Sequence, residues 1–362
     1  MKKLVLASAV ALALPVMAHA DVTISGIVAM GYQHYNDGNL GQSRIDDFGS
    51  HLRFNGSDDL GNGMKTIWTT EARFDADGGD TSADTFASRQ TYIGLQTAMG
   101  TVKMGRIWDV MVRTEETDQF AGPRSDAADI TCPVYEDGFL PVFNLGHGTD
   151  AGSGAKNSIS YDMPTWNGVD FGVQYSAGED KTTSQGASDH WGTRLEYMND
   201  ATKLFIGGAY AQGRNEDVKG DNGYMARIET GYRGDLLSVG LVYNHESLYA
   251  DTTASGNTNW SSFGISSTSS HLTDNAYGLR VAYVIGSFTP SLEYSHIGDA
   301  TIDGHSVKTA TNLWGVALDY SISKRTSAEV AYMRANEGAD LKTANSISNN
   351  PSTVYVQMTT KF

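Results

Sequence analysis

Val354-Tyr-Val-Gln-Met-Thr-Thr-Lys-Phe362, the end of the chain, alternates in character from one residue to the next. Val354, Val356, Met358 and Phe362 fall on one face of a strand, and Tyr355, Gln357, Thr359 and Lys361 on the other. A strand that uses the last residue as an apolar anchor leaves no loose tail, so this end is built into a sheet. The free carboxylate beside that anchor needs water nearby, which suits a strand ending at a membrane surface.

The same period of two recurs along the chain. Val22, Ile24, Val28, Met30 and Tyr32 alternate with Thr23, Ser25, Ala29, Gly31 and Gln33. Val169, Phe171, Val173 and Tyr175 alternate with Asp170, Gly172, Gln174 and Ser176. Tyr224, Ala226, Ile228 and Tyr232 oppose Arg227, Glu229 and Arg233, and sixteen such segments can be counted. A soluble sandwich would need a core rich in Leu, Ile and Phe. Here the polar face carries small or charged residues on nearly every strand and the aromatics gather towards strand ends, as in a lipid-facing wall around a hydrated lumen. A closed barrel also pairs every backbone group without an edge, which a bilayer demands. The expected fold is all-β, a 16-stranded antiparallel transmembrane β-barrel.

Met1-Lys-Lys, an apolar run from Leu4 to Met17 and Ala18-His-Ala20 have the layout of a secretory signal, with cleavage expected after Ala20. Residues 1–20 are therefore read as a leader and 21–362 as one barrel domain. No later stretch approaches the roughly twenty apolar residues of a membrane helix. Loss of Lys2 and Lys3 takes the formal charge from −16 to −18, a balance that argues against nucleic acid and anionic lipid as general partners. The single cysteine, Cys132, excludes a disulfide framework within one chain.

Turns sort into two classes. Those at 58–63, 98–100, 164–168, 199–201, 234–235 and 286–287 are short and use Gly, Asn and Asp as tight hairpins do. Between them lie long polar stretches at 36–44, 76–85, 178–188, 213–221, 249–273, 298–308 and 336–351. Such asymmetry assigns the short side to the periplasm and the long side to the outside. Residues 107–154 show no strand pattern, yet hold Met111, Phe120, Ile130, Val134, Tyr135, Phe139, Leu140 and Phe143. That is too apolar for a solvated tether, and in so wide a barrel the place for such a segment is the lumen.

Ser50-His-Leu-Arg-Phe-Asn-Gly-Ser-Asp-Asp-Leu-Gly-Asn-Gly-Met-Lys65, Arg89-Gln-Thr-Tyr-Ile-Gly-Leu95, Met99-Gly-Thr-Val-Lys-Met-Gly-Arg106 and Lys156-Asn-Ser-Ile-Ser-Tyr161 occur in this order. The order and spacing of these segments resemble those of the Gram-negative trimeric diffusion porins, over the whole mature chain. The resemblance implies a homotrimer, passive diffusion of small hydrophilic solutes and ions, residues 107–154 as a constriction loop, and Phe362 as a signal read by the barrel-assembly machinery. The chain departs from the family at His51, where an Arg is usual, and at Asn55, where a Lys is usual, so the basic wall has to be read from these residues themselves.

By alternation Arg53, Lys65, Glu71, Arg73, Arg89 and Lys103 face the lumen, and Arg106 is expected there because its strand breaks at Gly105. Arg53, Arg89, Arg106, Lys65, Arg73 and Lys103 are the candidate basic wall. The loop supplies the acids, with Glu115, Glu116 and Asp118 first in line where the chain bends inward. A cationic wall facing an acidic loop sets up a transverse field that orders water and favours dipolar solutes. The histidines are scattered with no i, i+4 pair, so neither a metal nor another cofactor is expected. Asp75-Ala-Asp77-Gly-Gly-Asp80 only faintly resembles a calcium loop and reads better as a latch on a neighbouring subunit. The Gly-x-Ser-x-Gly, P-loop and dinucleotide patterns are missing, which disfavours an enzyme. Two alternatives remain at this level: a solute-specific channel lined by Phe120, Tyr135, Phe139 and Phe143, and a barrel enzyme acting at the rim.

Overall fold

A computed structural model describes residues 21–36, 38–78, 86–87, 89–111, 155–179, 181, 186–187, 189–214, 220–250, 270–340 and 349–362. The leader, Cys132, most of the inward loop and the acids Glu115, Glu116 and Asp118 lie outside these residues. The strands are β1 (Asp21–Asn36), β2 (Gly41–Asp47), β3 (His51–Gly61), β4 (Met64–Arg73), β5 (Thr91–Thr97), β6 (Gly100–Ile107), β7 (Ala155–Asp162), β8 (Val169–Ser176), β9 (His190–Asn199) and β10 (Leu204–Gly213). They continue as β11 (Gly223–Arg233), β12 (Leu237–Ala250), β13 (Ser270–Tyr283), β14 (Phe288–Ile297), β15 (Ala300–Ile302), β16 (His305–Val307), β17 (Thr311–Ser321), β18 (Thr326–Asn336) and β19 (Ser352–Lys361).

These segments form one antiparallel sheet that closes on itself through β1 and β19, from Ile27 opposite Lys361 to Asn36 opposite Ser352. Sixteen spans result, because β2 and β3 both pair with β1 and together make one broken span, while β15 and β16 only lengthen the β14–β17 hairpin beyond the wall. The expected strand number holds. The stretch read as a plain loop at 298–308 instead contains that hairpin extension, tipped by Asp303 and Gly304 at φ 48° and 82°, the left-handed pair that a tight two-residue turn needs. At its base Lys308 Nζ donates to Asp299 Oδ2 at 2.8 Å, and this bond holds the Asp299 carboxyl below its ordinary range. The bridge is thus fully formed above the normal carboxylate range and is lost only as pH falls through the lowered value.

Burial runs opposite to that of a soluble protein. Ile24, Val356 and Met358 are 58%, 52% and 57% exposed on the outer face, whereas Gln33, Glu71 and Asn244 are 0% exposed on the inner one. Outside, apolar side chains await hydrocarbon; inside, polar groups satisfy one another. The largest apolar patch within, among the described residues, lies beside β1. At the break between β2 and β3, the Asp47 carboxylate accepts from the backbone N–H of Gly49 and Ser50, and Phe48 turns inward onto Tyr355, Ala29, Ala331 and Met333.

Seven short connections lie at the end that also carries both chain ends, among the described residues. Six were legible from Gly, Asn and Asp. The seventh, at 322–325, has none of these, and is held by the Ser323 hydroxyl accepting from the N–H groups of Arg325 and Thr326.

The charged lining and the root of the inward loop

Glu71, on the inward row of β4, is the hub of the lining. Arg53, opposite it on β3, donates from Nε at 2.7 Å and from Nη2 at 2.5 Å to Oε2. Arg89 Nε approaches Oε1 at 3.0 Å, and His51 Nε2 stands 4.0 Å from the same oxygen. Strict alternation through Thr91 would turn Arg89 away from the lumen. A bulge intervenes: the backbone of Glu71 donates to Gln90 O and accepts from Arg89 N, so two residues face one and Arg89 is re-aimed inward. Its guanidinium then also lies over Trp108, 5.0 Å from the ring centroid.

Lys103 continues this wall on β6, with Nζ 3.0 Å from Asp162 of β7 and over the ring of Tyr92. Asp162 is shared with Arg194 of β9 at 3.3 Å, and Arg194 reaches Asp170 of β8 at 2.7 Å. Lys65 lies exposed at the short-turn end of β4, opposite Asp59, and Arg73 pairs in register with His51. The wall is therefore a chain of bridged charges, not a bare stripe of cations. Arg106 differs in register. It pairs with Thr91, in the alternation row of Ile93, Val102 and Met104, and the irregularity at Gly105, φ 139°, is absorbed before Ile107 pairs with Ala155. The break at Gly105 is present, but by register Arg106 belongs to the other row from Lys103.

Beyond Ile107 the chain leaves its strand and turns inward, past β7 and β8, to β9–β11. Asp109 lies 3.3 Å from His190 Nε2 on β9, Val110 is wholly buried with Met111 and Ala209, and Met111 O accepts from Arg227 Nη1 of β11 at 2.5 Å. Three successive residues thus dock on β9–β11 by a carboxylate–imidazole contact, an apolar contact and a charged hydrogen bond. Gly192 makes room for them: a Cβ there would lie 2.4 Å from Val110 Cγ2. Replacing Gly192 by isoleucine should weaken this docking by about 1–3 kcal/mol, the usual cost of overpacking. The expected readout is raised open-channel noise with unchanged barrel yield; a quiet channel would show that the loop root does not rest on Gly192.

Arg53, Arg73 and Lys103 on β3, β4 and β6 are brought together with Arg89, and Glu71, which alternation also turned inward, bridges Arg53 and Arg89; Asp162, Arg194, His190 and Arg227 complete the network and were not singled out from sequence. Arg227 and Arg194 were within reach of the same alternation argument, since both sit on polar faces. The bond of Arg227 to Met111 at the loop root and the sharing of Asp162 between Arg194 and Lys103 need the third dimension. Among the described residues, no group of three or more His, Cys, Asp or Glu side chains is placed to hold a metal ion.

The family model for Gram-negative porins matches residues 7–340. Major outer membrane protein P.IB of Neisseria meningitidis serogroup A is 28% identical over 350 residues, covering 93% of this chain and 94% of the relative. In fold, the chain is similar to an anion-selective porin from Comamonas acidovorans, with TM-score 0.72, 19% identity, and coverage of 95% and 100% of the two chains. It is also similar to OmpT of Vibrio cholerae in its trimer form, with TM-score 0.65, 12% identity, and coverage of 95% and 99%. This chain forms a closed sixteen-span barrel, apolar outside and charged within, and it belongs to the Gram-negative porin family of outer-membrane diffusion channels.

Proposed function

We propose that three copies of this chain assemble in the outer membrane, short turns towards the periplasm and long loops outside, and that each barrel passes small hydrophilic solutes and ions by diffusion. Residues 107–154 form the constriction with the wall at Arg53 and Arg89. The observation that supports this reading is the inward path of Trp108 to Met111 from β6 to β9 and β11, with Trp108 beside the charged wall at Arg89. Cations bridged to a buried carboxylate on one side and a loop rich in Asp and Glu on the other give a field across the solute path. Such a field holds water in an oriented state, so solutes that exchange water for charged side chains pass more readily than apolar ones. No step in this transport needs a cofactor.

Purified protein in a planar bilayer should give stepwise conductance in groups of three; correctly folded trimer without conductance would refute the channel. Reversal potential under a salt gradient then tests the wall. Changing both Arg53 and Arg89 to glutamine should move it towards cations, and adding Arg106→Gln should move it little further, given the row Arg106 occupies. No shift in the double variant would remove these side chains from the constriction.

A further inference from the structure

The outer surface of β17, β18 and β19 carries, at its long-loop end, a group of donors with nothing to donate to among the described residues. Arg334 lies on the outward row of β18, directly across from Trp314 of β17 on one side and Ser352 of β19 on the other. Asn312 lies two residues from Trp314 on the same row. All four side chains are half-buried. The Arg334 guanidinium makes no ion pair or hydrogen bond among the described residues, and neither the Trp314 indole N–H nor the Ser352 hydroxyl has a partner there. Asn312 uses its amide oxygen twice, accepting from Tyr294 OH at 2.7 Å and facing His296 Nδ1 at 2.8 Å. That arrangement fixes the amide so that its NH2 is left for something else.

Charge makes this patch unusual. The chain as a whole is strongly acidic, yet the outward rows of these three strands contain no carboxylate: Asn312, Trp314, Val316, Leu318 and Tyr320 on β17, Ala328, Val330, Tyr332 and Arg334 on β18, and Ser352, Val354, Val356, Met358 and Thr360 on β19. A guanidinium on a lipid-facing wall is costly unless it meets an anion at the interface. Below it on the same rows, Val316, Val330 and Val356 are exposed apolar side chains suited to acyl chains. Trp314 and Tyr332, with ring centroids 5.2 Å apart, mark the level between the two environments.

We propose that this patch binds the phosphate of an anionic lipid headgroup in the outer leaflet, with Arg334 as the charged ligand, Asn312, Trp314 and Ser352 as neutral donors, and the valine rows below as the seat for the acyl chains. The inference rests on the long-loop end facing outwards. The acidic balance of the chain argues against anionic lipid over most of its surface, and this patch is the local exception. The planar donor fork of arginine suits a phosphate, and neighbouring neutral donors add specificity over a simple point charge.

The test uses the full-length trimer, stripped of native lipid in detergent, titrated with bisphosphorylated lipid A and read by native mass spectrometry. Wild type should retain lipid, Arg334→Lys should retain most of it, and Arg334→Gln should bind roughly tenfold more weakly, the loss of one charge-assisted contact. Equal retention by wild type and Arg334→Gln would overturn the proposal, as would equal retention of lipid A stripped of its phosphates. Dissociation of the Arg334→Gln trimer would assign the patch to a second copy of the chain and overturn the lipid assignment. Bilayer conductance of the same preparations separates the two readings: normal channels with no lipid preference sink the lipid site alone, whereas absent channels sink the porin reading.

Discussion

Glu71→Gln should destabilise the barrel and turn its selectivity towards anions. Glu71 is wholly buried and is bridged to Arg53 and Arg89, with His51 close by. Arg89 is itself only 7% exposed in its side chain, so it cannot recover its hydration once the carboxylate is gone. Removing one partner of a buried pair costs about 3–5 kcal/mol, because the remaining charge stays buried without compensation. The partly exposed Arg53 can turn to water and should soften the loss, so the lower end of that range is expected. A fall in the denaturation midpoint of the folded barrel measures the first effect. Reversal potential measures the second, since one negative charge leaves a wall that keeps its cations. If neither quantity moves, Glu71 is not the hub of this wall.

Phe362→Asp should reduce the amount of folded barrel in the outer membrane far more than its effect on the finished fold explains. The backbone of Phe362 exchanges hydrogen bonds with Gly26, both at 3.1 Å, and the ring covers Gly26, where a Cβ would meet Phe362 Cζ at 2.7 Å. An acidic residue on the lipid face near an interface costs only about 0–1 kcal/mol, too little to abolish a barrel of this size. We therefore expect a loss of roughly tenfold or more in cells, against nearly normal refolding of the same variant into detergent without cellular factors, the gap marking recognition of the unfolded chain. Parallel losses in both settings would make Phe362 a purely structural residue.

Much of this architecture could be read from the order of the residues because a two-residue period needs no third dimension. Val22, Ile24 and Val356 declare the outer face, and Gln33, Arg53 and Gln357 the inner one, once the strands are assumed to close. What could not be read involves departures from that period. Arg89 reaches Glu71 through a bulge, and Arg106 is held in the other row by pairing that survives Gly105. The turn at 322–325 lacks the usual turn residues, because a serine hydroxyl does the work of glycine. The docking of Asp109, Val110 and Met111 depends on which non-neighbouring strands of a closed cylinder come within reach of the chain after β6. The chain order of His190, Gly192 and Arg227 does not disclose it.

The seam between β1 and β19 joins the two most distant parts of the chain, with Gly26 bonded to Phe362. Among the described residues no pairing has a longer loop to close, so it carries the largest loop-closure entropy in the sheet. Until the final residue is delivered, the sheet has two raw edges, each able to recruit another chain. Sealing is consequently sensitive to truncation: a chain cut short within β19 would leave the β1 edge without its partner and open to other chains.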